Sequence, residues 1–408
     1  MKNTNCARIF SLIFAAWIYI LPAPAQDSLR LMSYNLLMYP GGTDYSRESD
    51  LQYIAGSYMP DLLGVCEVQG YNDAADILEN VLQPLSESYR MSPFIYNHSN
   101  PNDALQQLVY YNNDKLELIR TGYITTEIRD INHYTFRLRT PSSDTLDVYV
   151  MHLKASSSDD NEQKRWRMVR RLEVSLDSLP PHRYVTVMGD FNLYSSQEPA
   201  WQEMTDTTRH IPLYDPTGRE GHWHNSAEFA DLHTQSTHRN NNYPYNNFVG
   251  GGLDDRFDFI LLPSSILHAD STLTYRPGSY AAYGNNGNCF NKAINDAACS
   301  GRYSQTLRDH LYRMSDHIPV VLTLLSDQSF AVAPYERPAF TVYPNPARSD
   351  IGVKGLDAPG PWIILDATGQ QVMHCRPQAQ RCRIEKLKPG IYYLKISAAY
   401  APVAFIKN

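Results

Sequence analysis

Beyond its amino-terminal segment, the 408-residue sequence lacks any apolar run long enough to cross a bilayer. The bulk of the chain is therefore not expected to span a membrane. Cysteine is also scarce, with six residues, which excludes a scaffold held together mainly by disulfides. The hydrophobic content of 43% can instead fill a large core. A chain of this length is predicted to form either several domains or one large domain with an appendage.

Basic residues are fewer than acidic ones, 36 against 43, for a formal charge of −7. The imbalance is uneven, since residues 26–337 contain 39 acidic and 25 basic side chains, whereas the remainder from residue 338 contains four and nine. An acidic main region argues against tight, nonspecific binding to nucleic-acid backbones, because that binding depends on Lys and Arg. It is compatible with a site that recruits cations and turns over an anionic substrate locally.

The amino terminus has the pattern of a secretory signal peptide, predicted for residues 1–25. Two basic residues precede an apolar segment at 9–21, and Ala23-Pro24-Ala25 supplies the small residues of a cleavage site. The apolar segment is short for a membrane span. We therefore expect the chain to be exported, and to be soluble or held at the cell surface.

Five cysteines remain after the predicted cleavage. Cys289 and Cys299 flank a loop-like segment rich in Gly and Asn, and Cys375 and Cys382 flank another near the end of the sequence. In an oxidising compartment both pairs are predicted to form small-loop disulfides. Cys66 lies inside an apolar run and is expected to remain free, as a small hydrophobic residue.

Composition and spacing divide the rest of the chain into a main region at 26–326, a linker at 327–338 and a small domain at 339–408. The main region mixes strand patterns with amphipathic helices, which indicates an α/β fold. The linker contains Ala, Ser and Pro without periodicity. The last part has short strand-like pieces between Pro and Gly turns, typical of a small all-β domain.

Two polar segments of the main region carry specific expectations. The clearest helix is predicted at 159–179, and its four arginines are expected to face solvent: Arg165, Arg167, Arg170 and Arg171. The stretch 195–252 is expected to form loops that shape a cleft. Within it, His222-Trp223-His224 puts two imidazoles on one face of a strand. A surface loop is favoured over a second metal site there, because no third ligand is evident nearby.

The stretch Tyr184 to Asn192, YVTVMGDFN, organises the main region. Its apolar first half predicts a strand buried on both faces, and Gly189 ends it abruptly. Asp190 and Asn192 then project past the strand end, where open α/β sheets bind ligands. An Asx-type turn is the structural alternative at this position.

Similar polar motifs recur at the ends or starts of other apolar runs. Each has a structural alternative: His152 could be a satisfied core histidine, Asp258 could pair with Arg256, and Asp316 could cap the next element. Together they argue against separate structural roles, because buried strands avoid ionisable groups unless these are paired or bind metal. The set comprises Asn35, Glu67, His152, Asp190, Asn192, Asp258, Asp316 and His317.

The order N…E…H…GDFN…D…SDH over residues 31–325 resembles the endonuclease/exonuclease/phosphatase superfamily, the deoxyribonuclease-I-like fold. The resemblance implies a four-layered sandwich of two packed β-sheets flanked by helices. It is specific for the fold and the reaction type, and poorly specific for the substrate. The MHLKA motif at His152 is similar to deoxyribonuclease-I-like and sphingomyelinase-like members. Leu36-Leu37 stands where abasic-site repair enzymes carry an acidic residue, so a repair role is disfavoured.

The resemblance also implies roles for individual residues. Glu67 would be the principal ligand of Mg²⁺, with Mn²⁺ or Ca²⁺ as alternatives, and Asp316 and Asn35 would lie in the ion's shell. Asp190 would orient or deprotonate the attacking water. Asn192 would hold a phosphate oxygen or that water, and Asn35 is also assigned to substrate binding.

The two histidines would act on the phosphate. His317, paired with Asp258, would stabilise the charge that grows in the transition state, or in some family mechanisms act as the base. His152 would face the phosphate and donate a hydrogen bond or proton towards the leaving group.

Near the end of the chain, Tyr343-Pro344-Asn345-Pro346, residues 387–394 and residues 405–407 resemble the C-terminal sorting domain of the type IX secretion system of Bacteroidetes. This resemblance implies passage across the outer membrane by that secretion machinery, with removal of the domain afterwards as one outcome. A generic β-sandwich binding module is the alternative.

These expectations favour an exported, divalent-metal-dependent phosphodiesterase that cleaves extracellular DNA or RNA. A sphingomyelinase-like phospholipase or a phosphatase of small phosphorylated compounds is the alternative, motivated by the acidic main region. A non-catalytic surface binding protein is the least favoured, because every key side chain is present. No stable protein partner is predicted besides the secretion machinery.

Overall fold

The computed structural model of the protein describes residues 27–41, 47–240, 249–267, 271–330, 340–355, 362–367, 370–377, 380–396 and 402–408. The predicted signal peptide and most of the predicted linker lie outside these residues. The chain divides into two compact units, Met1–Phe330 and Ala331–Asn408. In the part of the chain that is described, no helix combines the length and the apolar character needed to cross a membrane.

The first unit contains thirteen strands within its described residues. They are β1 (Asp27–Tyr39), β2 (Leu62–Val68), β3 (Tyr89–Met91), β4 (Gln106–Asn112), β5 (Leu116–Ile124), β6 (Ile131–Leu138), β7 (Thr145–His152), β8 (Tyr184–Asp190), β9 (Leu213–Tyr214), β10 (Asp258–Pro263), β11 (Leu273–Tyr275), β12 (Ala281–Ala282) and β13 (Val320–Ser326).

Six α-helices accompany these strands: α1 (Glu48–Tyr58), α2 (Tyr71–Asp76), α3 (Asp159–Leu176), α4 (Pro199–Thr205), α5 (Ser264–Leu267) and α6 (Gln305–Met314). Helix α2 continues as a π-helix at Ile77–Leu82, and a short 3₁₀ helix spans Ala227–Phe229. Helix α3 begins where predicted, because Ser158 accepts a hydrogen bond from the Asn161 amide (3.3 Å) and acidic residues occupy the first turn.

The strands form two mixed sheets. One has the order β11-β13-β1-β2-β4-β3, with β12 also paired to β13, and the other has the order β5-β6-β7-β8-β10-β9. Strands β1 and β2 are parallel, as are β7 and β8, and the remaining neighbours are antiparallel. The carboxyl ends of the four parallel strands therefore lie beside the amino ends of their antiparallel neighbours β10 and β13.

Alternation along the strands produces four layers. Leu29 and Leu31 of β1 belong to the core between the two sheets, together with Met188 of β8. Met32 belongs instead to the core beneath helices α1 and α6, whereas Val187 of β8 packs towards α3 and α4. Helices thus cover the outer face of each sheet, and the predicted four-layered α/β sandwich is confirmed. The predicted two-sided burial of β8 is also confirmed.

One expectation for α3 is wrong. Arg167, Arg170 and Arg171 are exposed, but Arg165 is fully buried. Its guanidinium Nε donates to Glu198 (2.8 Å), and its NH1 donates to the carbonyls of Lys154 and Ser156, both at 2.8 Å. Arg165 therefore braces the loop that follows β7.

The second unit is all β within its described residues. Its strands are β14 (Thr341–Tyr343), β15 (Asp350–Lys354), β16 (Trp362–Leu365), β17 (Gln371–Cys375), β18 (Arg381–Arg383), β19 (Gly390–Lys395) and β20 (Val403–Lys407). They form two antiparallel sheets, β14-β15-β18 and β17-β16-β19-β20. The two sheets share one hydrophobic core, so the predicted small all-β sandwich is confirmed.

The cysteines behave as predicted. Cys289 and Cys299 form a disulfide in the first unit, and Cys375 and Cys382 form one that joins β17 to β18. Cys66 is free and buried. Burial raises the pKa of its thiol well above the ordinary value, so it is not a nucleophile at neutral pH.

Candidate active site

The polar residues singled out in the sequence gather at one edge of the two sheets. Asn35, Glu67, His152 and Asp190 lie at the carboxyl ends of β1, β2, β7 and β8. Asp258 opens β10 directly opposite Asp190 in the register of the antiparallel pair. Asp316 and His317 stand just before β13, which runs antiparallel to β1.

Local backbone irregularities direct the carboxylate of Glu67 into this edge. The pairing of β2 with β4 shifts register between Cys66 and Val68, and Glu67 between them has φ +65°. A bulge of this kind re-aims a side chain that regular pleating would send elsewhere. The Met38 amide donates to Glu67 Oε2 (3.1 Å), and it comes from a second irregular segment at the end of β1.

Glu67, His152 and Asp190 form the tightest cluster. His152 Nε2 lies 3.8 Å from Glu67 Oε1 and 3.5 Å from Asp190 Oδ2. Candidate ligand atoms of the three residues all lie within 4.8 Å of one another. Two carboxylates and an imidazole at this separation can hold a divalent cation.

Asn35 connects the two carboxylates. Its Nδ2 donates to Glu67 Oε1 and to Asp190 Oδ2, both at 3.0 Å, while its Oδ1 accepts from the Leu37 amide (3.0 Å). In this orientation the amide holds the carboxylates in place and its oxygen is directed into the backbone turn.

Asp190 serves both the turn and the site. Its Oδ1 accepts from the Asn192 amide (3.1 Å), so the Asx-type turn considered for GDFN is present. Its Oδ2 faces Asn35 and the histidines. Asn192 has φ +51° and donates from Nδ2 to the Leu153 carbonyl (3.4 Å).

His317 and Asp258 form a buried pair. His317 Nδ1 lies 2.6 Å from Asp258 Oδ2, and its Nε2 lies 3.9 Å from Asp190 Oδ2. Asp258 does not pair with Arg256, whose guanidinium binds Asp215 (2.8 and 3.0 Å). The imidazole is thus held between Asp258 at Nδ1 and the side-chain amide of Gln235, whose Nε2 lies 2.8 Å from His317 Nε2.

Asp316 lies beside this pair. Its Oδ2 accepts from Gln235 Nε2 and from the Val249 amide, both at 3.2 Å. Its Oδ1 is buried, has no hydrogen-bond partner among the described residues, and lies 4.0 Å from His317 Nε2. One oxygen of Asp316 is therefore available to a ligand.

The protonation states follow from burial and charge. Burial raises the pKa of Asp190 to about 7, and the Asp258 and Glu67 charges add to this while His317 opposes it. Burial disfavours charge on His317, but Asp258 more than offsets this and raises its pKa well above the ordinary value. Burial, with the charges of Arg129 and His317, lowers the pKa of His152 well below the ordinary value. These shifts favour the charged form of His317 and the neutral form of His152.

A cavity of about 580 Å³ opens onto these groups. Glu67, His152, Asp190, Asp316 and His317 all line it, as does Asn192. Further polar or aromatic residues also line it, among them Tyr194, His224, Gln235 and Asp255. These four lie outside the strands and helices, where no periodicity marks individual residues, and the sequence singled out only His224 among them.

Comparison with known proteins gives two kinds of match. Residues 341–404 match the family model described as the secretion system C-terminal sorting domain, which supports export of the chain. A sequence search of curated proteins finds no match.

Solved structures resemble the first unit at low identity. An endonuclease/exonuclease/phosphatase family protein of Bacteroides thetaiotaomicron is 13% identical, with 74% of this chain and 99% of that chain covered and a TM-score of 0.47. D. rerio TDP2 in complex with a single-strand DNA product is 18% identical, with coverage of 73% and 98% and a TM-score of 0.45. A mannosyl-6-phosphatase of B. thetaiotaomicron VPI-5482 is 14% identical, with coverage of 72% and 99% and a TM-score of 0.46.

The function of the chain is inferred below from the geometry of its own residues.

Proposed function

We propose that the chain is an exported, divalent-cation-dependent hydrolase of phosphate esters. The observation that carries this proposal is the convergence of Glu67, His152 and Asp190 beside the His317–Asp258 pair, in one cavity. A cation site next to a charged imidazole can neutralise negative charge that develops on a phosphoryl group.

The donor set fits a divalent cation. Glu67 and Asp190 crowd two carboxylates around one imidazole, and Asp316 keeps a buried oxygen without a partner among the described residues. Like charges this close are costly unless a positive ion lies between them. Glu67 and His152 would hold the ion, with the Asp190 carboxylate beside it left to act on the attacking water, and the ion, when bound, would polarise the phosphate ester and that water.

The chain's own residues supply the proton chemistry. Asp190, with a pKa of about 7, is suited to accept a proton from the attacking water. His317, kept charged by Asp258, would bind the phosphoryl oxygens. Neutral, buried His152 is better suited to ligation or hydrogen bonding than to delivering a proton, and Asn192 would bind the phosphate from the turn.

The cavity favours small phosphate esters over nucleic acid. Among the described residues that line it there is no Lys or Arg, although nucleases neutralise successive phosphates with such side chains. Its volume of about 580 Å³ is typical of sites for small molecules. Cleavage of DNA or RNA remains a prediction from the family resemblance alone.

A substrate panel tests the proposal. Phosphate or product release from plasmid DNA, RNA, sphingomyelin, p-nitrophenyl phosphate and several sugar phosphates is measured with Mg²⁺, Mn²⁺ or Ca²⁺, and again with EDTA. We expect cation-dependent hydrolysis of a small monoester, abolished by EDTA and by Glu67→Gln, but retained in the exposed control Glu79→Gln.

Absence of hydrolysis of every ester with every ion would overturn the proposal. Cleavage of plasmid or RNA at a higher kcat/KM than any small ester would be consistent with the proposed hydrolase activity but would contradict the proposed preference for small substrates.

A further inference from the structure

The motif His222-Trp223-His224 lies beside the candidate active site. Trp223 is fully buried, and its ring makes edge contacts with Trp201 (4.8 Å) and Phe259 (5.2 Å) between ring centroids. The amides of Trp223 and His224 both donate to the Tyr194 carbonyl, at 2.9 and 3.3 Å. The buried indole therefore anchors the loop and leaves His224 at the mouth of the cavity.

His224 forms a pair with Asp255. Its Nδ1 lies 2.6 Å from Asp255 Oδ1, and its side chain is 52% exposed whereas that of Asp255 is 15% exposed. This contact occupies Nδ1 and leaves Nε2 as the remaining polar atom of the ring, and His224 lines the cavity. The second carboxylate oxygen of Asp255 has no hydrogen-bond partner among the described residues, so this oxygen and His224 Nε2 are two polar atoms available to a ligand.

Gln235 connects this pair to the catalytic edge. The Gln235 amide donates to the Asp255 carbonyl (3.0 Å), and the Asp255 amide donates to the Gln235 carbonyl (2.8 Å). The side chain of Gln235 in turn lies 2.8 Å from His317 Nε2. His224 and Asp255 therefore keep a defined position relative to the groups that would act on the phosphate.

Tyr194 completes the surface. Its ring makes edge contacts with His224 (5.3 Å) and Phe257 (5.0 Å) between ring centroids, and it lines the same cavity. An aromatic ring beside a carboxylate and an imidazole suits a ligand with apolar C–H faces and several hydroxyls. The carboxylate disfavours a second phosphate or another anionic group at this position.

Resting on the proposed function, we propose that His224, Asp255 and Tyr194 form the leaving-group subsite, which binds an uncharged polyhydroxyl alcohol such as a sugar. The substrate is then a sugar monophosphate, with its phosphate at the Glu67 edge and its hydroxyls on the His224–Asp255 pair. A nucleic-acid strand would carry further phosphates towards Asp255 and be disfavoured.

The test compares substrates that differ only in the leaving group. We measure kcat/KM for hexose and pentose phosphates and for p-nitrophenyl phosphate, which has no hydroxyls, in wild type, His224→Gln and Asp255→Asn. We expect the ratio of the best sugar phosphate to p-nitrophenyl phosphate to fall at least tenfold in both variants, mainly through KM. The control His222→Gln, from the same loop but not lining the cavity, should keep the wild-type ratio.

Either of two results would overturn the subsite and leave the proposed function intact. One is a wild-type enzyme that hydrolyses p-nitrophenyl phosphate but no sugar phosphate. The other is a pair of variants with a wild-type melting temperature and an unchanged ratio of kcat/KM between the best sugar phosphate and p-nitrophenyl phosphate. Failure of wild type to hydrolyse any ester would overturn the proposed function, and the subsite with it.

Discussion

Two groups of buried charges in the first unit differ in how they are balanced. Behind the cavity, Arg165 pairs with Glu198 and Arg256 pairs with Asp215, one cation to one anion, and all four side chains are buried. At the cavity, Glu67, Asp190, Asp258 and Asp316 surround two imidazoles, of which only His317 is charged.

This difference distinguishes charges that stabilise the fold from charges that could take part in the reaction. Arg256 donates two hydrogen bonds to the Asp215 carboxylate, and its guanidinium carbon lies 4.4 Å from the centroid of the Phe259 ring. The cavity instead crowds Glu67 and Asp190 together, and burial raises the pKa of Asp190 to about 7. An excess of negative charge that the fold itself does not neutralise is what a cation and a charged imidazole can use.

The largest effect is expected when a charge is removed from the group of residues at the cavity. Asp190→Asn should lower kcat/KM by about 10²–10⁴-fold, the usual contribution of a general base, and leave the melting temperature equal or higher because a crowded carboxylate is removed. The base must be deprotonated, so wild-type kcat/KM should rise with pH through about 7, the pKa of Asp190. Higher Mg²⁺ concentrations should move this limb to lower pH. A variant that retains wild-type kcat/KM would remove Asp190 from the chemistry.

The next largest effect is expected when one of the buried ion pairs is broken. Arg256→Met leaves Asp215 buried without its partner and should lower the free energy of unfolding by about 3–5 kcal/mol. Urea denaturation followed by fluorescence measures this. The double variant Arg256→Met/Asp215→Leu removes both charges and should recover much of the loss. Equal stability of the single variant and wild type would show that the pair is not structural.

One further buried carboxyl belongs to neither of these two groups. Glu173 on α3 is 2% exposed, neither of its carboxylate oxygens has a hydrogen-bond partner among the described residues, and burial raises its pKa to about 8. As pH rises from about 4.5 to 8, the unfolded chain releases this proton and the folded chain retains it, so stability falls. The loss should reach roughly 3 kcal/mol at pH 7, since each pH unit is worth about 1.4 kcal/mol.

Glu173→Gln should abolish this decrease of the free energy of unfolding with rising pH. Urea unfolding at pH 5 and pH 7.5 should show the variant more stable than wild type mainly at the higher pH, whereas the exposed control Glu79→Gln keeps the wild-type slope. Parallel curves for wild type and Glu173→Gln would mean that the carboxyl is ionised in the folded protein.

The smallest effect is expected from adding the divalent cation. At ten times its Kd, Mg²⁺ or Mn²⁺ should stabilise wild type by about 1.4 kcal/mol, measured as a rise in melting temperature that EDTA reverses. Glu67→Gln should lose this rise. Arg165→Met, although less stable, should retain it, because its charge belongs to the balanced group. An equal rise in Glu67→Gln would move the cation away from the proposed site.

Local patterns were sufficient for much of the fold. Strand β2 spans Leu62–Val68, matching the apolar run LLGVCEV, because a buried strand between turn residues is defined by its own composition. The small C-terminal strands lie between Pro and Gly turns for the same reason.

Residues whose role depends on a distant partner were less predictable. Arg165 was expected in solvent because it lies among exposed arginines of α3, yet it binds Glu198, 33 positions away. Gln235 and Asp255 gave no signal, since polar residues in a loop have no period to mark them. Their contacts with His317 and His224 arise from the chain's path over the sheet edge.

The sequence by itself therefore determined the strands, the two disulfides and the type of residue at each strand end, because these depend on neighbours along the chain. Only the tertiary structure decided which charges neutralise each other and which remain in excess. The parallel pairs β1–β2 and β7–β8, with antiparallel β10 and β13 beside them, bring Asn35 and Asp190, 155 positions apart, to within 3.0 Å. Such proximity is a property of strand order, which no single stretch of sequence contains.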